Sequence, residues 1–163
     1  MKLRAMAVAL VTLLTLTGCA QSDISAVDIS PSDVTTSRVD GAEKPRYKRV
    51  IALANGSAEI IDSLGYKNVL IGRDIASTEP ALVSVPIVTS GHQVVAEKII
   101  ALKPDLVIVD PSVGPSQAIE SLKRAGITVA GISEIWKVSE ISAKVDEIAS
   151  LLGVQATGKK LSA

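Results

Sequence analysis

An α/β domain on a doubly wound parallel sheet is the fold class this sequence predicts, and three observations predict it. Short apolar runs suited to strands covered on both faces recur, most plainly Leu106-Val107-Ile108-Val109. They alternate with stretches of helical spacing, such as Val138 to Leu152, where Ile141, Val145, Ile148, Leu151 and Leu152 share one side. Gly, Pro, Asn or Ser falls at each change of pattern. The resulting order, βαβ followed by αβαβα, belongs to an open sheet with helices on both faces.

Taken in order, the chain opens with Lys2 and Arg4 ahead of an apolar run from Ala5 to Leu16, too short to span a bilayer and suited to a signal-peptide core over residues 1–18. It ends in Leu16-Thr17-Gly18-Cys19, which resembles the bacterial lipobox and makes Cys19 the expected site of lipidation. A lone cysteine excludes an internal disulfide. Residues 19–48, rich in Ser, Asp, Thr and Val and lacking an apolar period, predict a flexible tether. Val50 to Ala54 then reads as a strand, Ala58 to Leu64 as a helix, Val69 to Ile71 and Ile87-Val88 as strands. Val94, Val95, Ile99 and Leu102 can share a helical face that Lys103-Pro104 terminates. Leu106 to Val109 is the next strand, Gln117 to Ala125 a helix, Ile127 to Ile132 a strand and Val138 to Leu152 the last long helix. Residues 49–152 form the expected domain and 153–163 a tail or the start of a further helix.

Composition bounds what such a domain does. The chain has 163 residues, 47% hydrophobic and 21% charged, which suits a single soluble domain. Its formal charge is zero, without the basic field that a phosphate backbone requires, so nucleic acid is not an expected partner. Loss of residues 1–18 would remove Lys2 and Arg4 and leave two net negative charges. Aromatic residues make up 2%, so an apolar pocket has to be lined mainly by aliphatic side chains.

In an open parallel sheet the ligand crevice lies beyond the carboxyl ends of the strands. The loops expected there are Asn55-Gly56-Ser57, Arg73 to Pro80, Thr89 to Gln93, Asp110 to Ser116 and Ser133 to Lys137. His92, the only histidine, stands in the third of them beside Gly91. The run Gly153 to Lys159 imitates a phosphate-binding loop, but Lys160 replaces the required Ser or Thr and the run follows a helix. No G-x-S-x-G elbow surrounds Ser57, and a catalytic triad would depend on His92 alone. The mature chain lacks the several His or Cys ligands of a structural zinc site. An enzyme is not expected, and no catalytic cofactor.

The segments Arg49-Val50-Ile51-Ala52-Leu53, Glu59-Ile60-Ile61, Leu64-Gly65 and Ile71-Gly72-Arg73-Asp74 resemble bacterial ABC-transporter binding proteins for haem, cobalamin and iron-siderophores. So do Leu122-Lys123-Arg124-Ala125-Gly126-Ile127 and the more specific string Ala96-Glu97-Lys98-Ile99 with Leu102-Lys103-Pro104-Asp105-Leu106-Val107. That resemblance implies the amino-terminal lobe of a class III substrate-binding fold, in which one long helix joins two α/β lobes. Gly91-His92 just ahead of the string is similar to haem-binding members, whose histidine is an axial iron ligand, so His92 is the expected ligand to haem iron. Haem would be a transported ligand rather than a cofactor. Gly91, Val94 and Val95 are the expected cleft-lining neighbours, although a solvated loop histidine without a ligand is the plainer reading of His92 alone.

Glu97 alone is a solvated carboxylate; the resemblance implies that it docks on the permease, which works with its ATPase. Cys19 would anchor the assembly to the extracytoplasmic face of the bilayer. The chain stops at Ala163, in what would be the linking helix, so the second lobe, its axial ligand and its docking glutamate are expected to be missing. Leu151, Leu152 and Leu161 are then expected to be incompletely covered. A siderophore or cobalamin binder, and a one-lobed surface lipoprotein that transports nothing, are the other readings. Trp136 is expected as a partly buried packing residue that can also line the cleft, and neither Tyr47 nor Tyr66 is well placed for iron.

Overall fold

The computed structural model describes residues 38–91 and 93–163. Four strands form a parallel sheet: β1 (Val50–Ala52), β2 (Leu70–Arg73), β5 (Leu106–Val109) and β6 (Thr128–Gly131), in the spatial order β2-β1-β5-β6. Among the described residues the outer edge of β2 is met at one point only, where Ile87 bridges to Arg73. The strand expected at Ile87-Val88 is thus a single bridge. Two further strands, β3 (Thr89–Ser90) and β4 (Gln93–Val94), make a separate antiparallel hairpin.

Alternation along the central strands divides the core. Val50, Ala52, Leu106 and Ile108 face one side and pack with Ile61 and Leu64 of the segment around α1 (Ser57–Ser63) and with Ile148 and Leu152 of α4 (Ile141–Leu152). Ile51 and Val107 face the other and meet Ile99 of α2 (Ala96–Ala101) and Leu122 of α3 (Ser116–Arg124). Helices therefore cover both faces, as the unbroken apolar runs of β1 and β5 require. Each large side chain enclosed in this way contributes about 1.5–3 kcal/mol by leaving water.

The Leu-Lys-Pro-Asp string is a structural clasp. Lys103 adopts φ +48° just past α2, a left-handed stop usually taken by glycine, and Pro104 prevents continuation. Arg49 then donates to the orphan carbonyls of Lys103 at 3.0 Å and Leu102 at 2.6 Å, while the Asp105 carboxylate accepts the backbone N–H groups of Lys48 and Arg49 at 2.8 and 2.9 Å. The end of α2 and the start of β1 are thereby fixed to one another.

Two segments differ from expectation. Residues 38–48, read as tether, run over the domain as a strap. Val39 N–H donates to the Ser63 carbonyl and Arg46 N–H to that of Leu152, Arg38 pairs with Asp62, and the Tyr66 hydroxyl donates to the Glu43 carbonyl at 2.9 Å. The tail forms a helix, α5 (Gln155–Ser162), lying against α4 so closely that a Cβ at Gly158 would sit 2.4 Å from that of Ala149. Glu43 accepts both the N–H and the hydroxyl of Thr157 in the first turn of α5. Leu152 is fully enclosed, against expectation, because these pieces cover α4; Leu151 and Leu161 are partly buried. Among the described residues no helix is long and apolar enough to cross a membrane.

Candidate functional site

All five loops named from the sequence lie beyond the carboxyl ends of the parallel strands or beside them, and buried charges set their shape. After β1, Leu53 and Ala54 still donate to the Ile108 carbonyl, and Asn55 N–H reaches Oδ2 of Asp110 at 2.9 Å. Oδ1 of the same carboxylate accepts the N–H and hydroxyl of Ser112 at 3.0 and 2.5 Å. One buried aspartate thus joins the loops after β1 and β5. After β2, the buried Arg73 guanidinium donates to the carbonyls of Leu82, Val85 and Ser77 at 3.0, 2.9 and 2.6 Å and holds the loop that follows. Asp74 accepts the Ala76 N–H, and Thr89 accepts that of Ile75.

These loops surround a cavity of about 180 Å³ lined by Leu53, Asn55, Asp74, Thr89, Val94 and Ser112, among others. Sites for drug-sized ligands occupy about 300–1,000 Å³ and enclose most of the ligand, so this is the floor of a site rather than a whole one. The β3–β4 hairpin forms one wall. Ser90 pairs with Gln93, and the exposed Gly91 after Ser90 has the φ of +59° that primed hairpin turns need. His92 itself lies outside the described residues, as does Cys19.

Val94 is in β4 rather than in the helix, 6% exposed, and packs in the smaller core with Ile51 and Ile99 while its edge reaches the cavity. Val95 is the partly buried residue that opens α2. The period shared with Ile99 and Leu102 is therefore not a single helical face, because β4 intervenes. Glu97 stands exposed in the first turn of α2, beside a shallow depression bordered by Gln117 and Arg124. Tyr66 is buried with its hydroxyl committed to the strap, and Trp136 is 84% exposed at the rim rather than packed. Among the described residues no three His, Cys, Asp or Glu side chains gather as metal ligands.

A family model described as periplasmic binding protein matches residues 50–163, from β1 to the end of the chain. The chain belongs to the periplasmic binding protein family. Within it, the chain is 30% identical over 82% of its length to an uncharacterized ABC transporter substrate-binding lipoprotein, YvrC, of Bacillus subtilis strain 168, and covers 41% of that relative. It is 31% identical over 71% of its length to the vitamin B12-binding protein of Vibrio campbellii, covering 42% of it. The solved structure of the heme binding protein HmuT superposes with a TM-score of 0.68 at 29% identity, over 82% of this chain and 47% of HmuT. The chain thus spans under half the length of these relatives.

Sequence reasoning missed two features of the site. It gave Asp110 no role, because a carboxylate at a strand end has no local signature when its partners are distant. It also overlooked Lys144, although a lysine three residues after Ile141 and four before Ile148, on the apolar stripe of α4, was a readable signal.

Proposed function

We propose that the chain is the ligand-binding lobe of an ABC importer's substrate-binding lipoprotein, with haem as cargo and His92 as iron ligand. The observation that carries this reading is the placement of the β3–β4 hairpin. Its Thr89 and Val94 border the cavity at the ligand edge, and its exposed turn at Gly91 adjoins the chain's only histidine. A neutral imidazole is a good iron ligand, and aliphatic walls such as Leu53 and Val94 suit a porphyrin. The likeness to HmuT supports the choice of haem. Glu97 is the permease-docking residue, exposed and free to meet a basic partner, where it would orient docking more than tighten it. Cys19 carries the lipid that holds the lobe at the extracytoplasmic face of the membrane.

Protein from residue 20 onward, mixed with haemin, should give a Soret band shifted from that of free haemin, and His92→Ala should abolish the shift. Binding should weaken below about pH 6.5, where a proton competes with iron for imidazole. Identical spectra for the two proteins would reduce haem uptake to apolar adsorption and remove this assignment. The likeness to a vitamin B12-binding protein favours the second reading, a corrinoid cargo for which His92 is incidental. Cobalamin retained equally by wild type and His92→Ala would select it.

A further inference from the structure

A second cavity, of about 470 Å³, opens between the first turn of α1 and the loop after β6, and meets the first cavity at Asn55. Ile60, Ile135, Ile141 and the exposed indole of Trp136 form its apolar walls. Lys144 enters it from α4 and is only 3% exposed. Among the described residues no carboxylate or carbonyl pairs with its ammonium. Among the described residues no fully enclosed side-chain nitrogen or oxygen is left without a partner, and Lys144 lines this cavity. Buried charges are ordinarily paired, because leaving one without a counter-charge in a low dielectric is unfavourable. The acidic groups nearby do not fill that role. Glu59 turns to the Ser77 hydroxyl at 3.2 Å, and neither it nor Glu134 forms an ion pair with Lys144. Lys137 adds a second positive charge to the lining.

We infer that Lys144 is the counter-charge for a carboxylate on a flat ligand that lies against Trp136. The inference rests on the tetrapyrrole reading and narrows it. Haem carries carboxylates at the edge of a flat apolar ring, whereas the corrin ring of cobalamin is edged by neutral amides and its one anionic group, a phosphodiester, lies on the nucleotide loop, so an ammonium set beside a flat apolar wall favours the former. The indole offers an apolar face to the ring, and the carboxylate supplies the ammonium with a charge-assisted partner.

Iron-free protoporphyrin IX keeps the carboxylates and eliminates coordination by His92, and its dimethyl ester is the uncharged counterpart. Binding of both to the full chain, in one detergent and followed by equilibrium dialysis, separates charge from shape. Wild type should bind the acid about tenfold more tightly than the ester. Lys144→Met, which fills the same space, should erase that preference and leave ester binding unchanged, while Trp136→Ala should weaken both probes. Unchanged acid binding by Lys144→Met would overturn the inference. Equal loss of acid and ester would do so too, since Lys144 would then act only through the fold, as would failure of wild type to bind either probe. Haemin spectra of wild type and His92→Ala report independently on iron ligation. A His92-dependent Soret shift can survive the loss of the Lys144 inference, and charge-selective porphyrin binding can survive the loss of the His92 assignment.

Discussion

Asp110 joins the loop after β1 to the loop after β5 with one carboxylate, buried to 5% exposure and accepting three hydrogen bonds. Asp110→Ala should cost about 2 kcal/mol, the order expected for charge-assisted bonds whose amide partners are left to solvent. Urea denaturation measures this directly, and an unchanged midpoint would mean the loops are held elsewhere. Single residues were unevenly legible in the sequence. Gly91 falls in a loop expected from the sequence, with the positive φ that a tight connection demands, and Tyr66 is buried with its hydroxyl bonded to Glu43. Trp136 was expected to be partly buried, since a large ring is usually covered; no neighbouring residue predicted that its loop would leave the indole 84% exposed.

Elements were legible where burial is two-sided and hidden where contacts are distant. Leu106 to Val109 coincides with β5 because an unbroken apolar run has few other uses. The hairpin strands, two residues each, are too short to establish a period, and the Val94-Val95 pair matched a helix by coincidence. Helix α5 hid behind Gly158, which weakens helices but here permits close approach to α4. Gly158→Ala should gain about 1 kcal/mol of helix propensity and lose about 1–3 kcal/mol to overpacking. Net destabilisation is expected, visible as a lower thermal midpoint, and a higher one would contradict the close contact.

The strap adds a pH dependence at the same helix. The Thr157 backbone N–H is the main influence holding the Glu43 carboxyl below its ordinary pKa of 4.5; partial desolvation opposes it, while the Thr157 hydroxyl, the Ala156 N–H and Lys160 reinforce it. Unfolding releases that carboxylate to bind a proton more readily. Its contribution to stability is therefore complete above about pH 4.5 and is lost as the pH falls through the lower, folded value. The stability gap between wild type and Glu43→Gln should narrow on acidification below about pH 4.5, and a constant gap would contradict this role.

For the whole molecule, the doubly wound sheet was readable from alternating patterns, and the strap was not, because polar residues held by bonds to Ser63, Tyr66, Leu152 and Thr157 look locally like linker. Among the described residues Arg38 already holds the domain, through Asp62. Labelled fatty acid should enter the wild-type protein in cells and be absent from Cys19→Ser, which should also leave the membrane fraction. Unlabelled wild-type protein free in the medium would remove the anchor. Strand order carries a further consequence, one of timing. β1 is made first yet lies inside the sheet, between β2 and β5, so its second neighbour exists only once Leu106 to Val109 has been synthesised. Until then the nascent chain cannot complete its centre, and such long-range pairing is intrinsically slow. If the proposed export through a translocation pore holds, that delay is what keeps the polypeptide threadable.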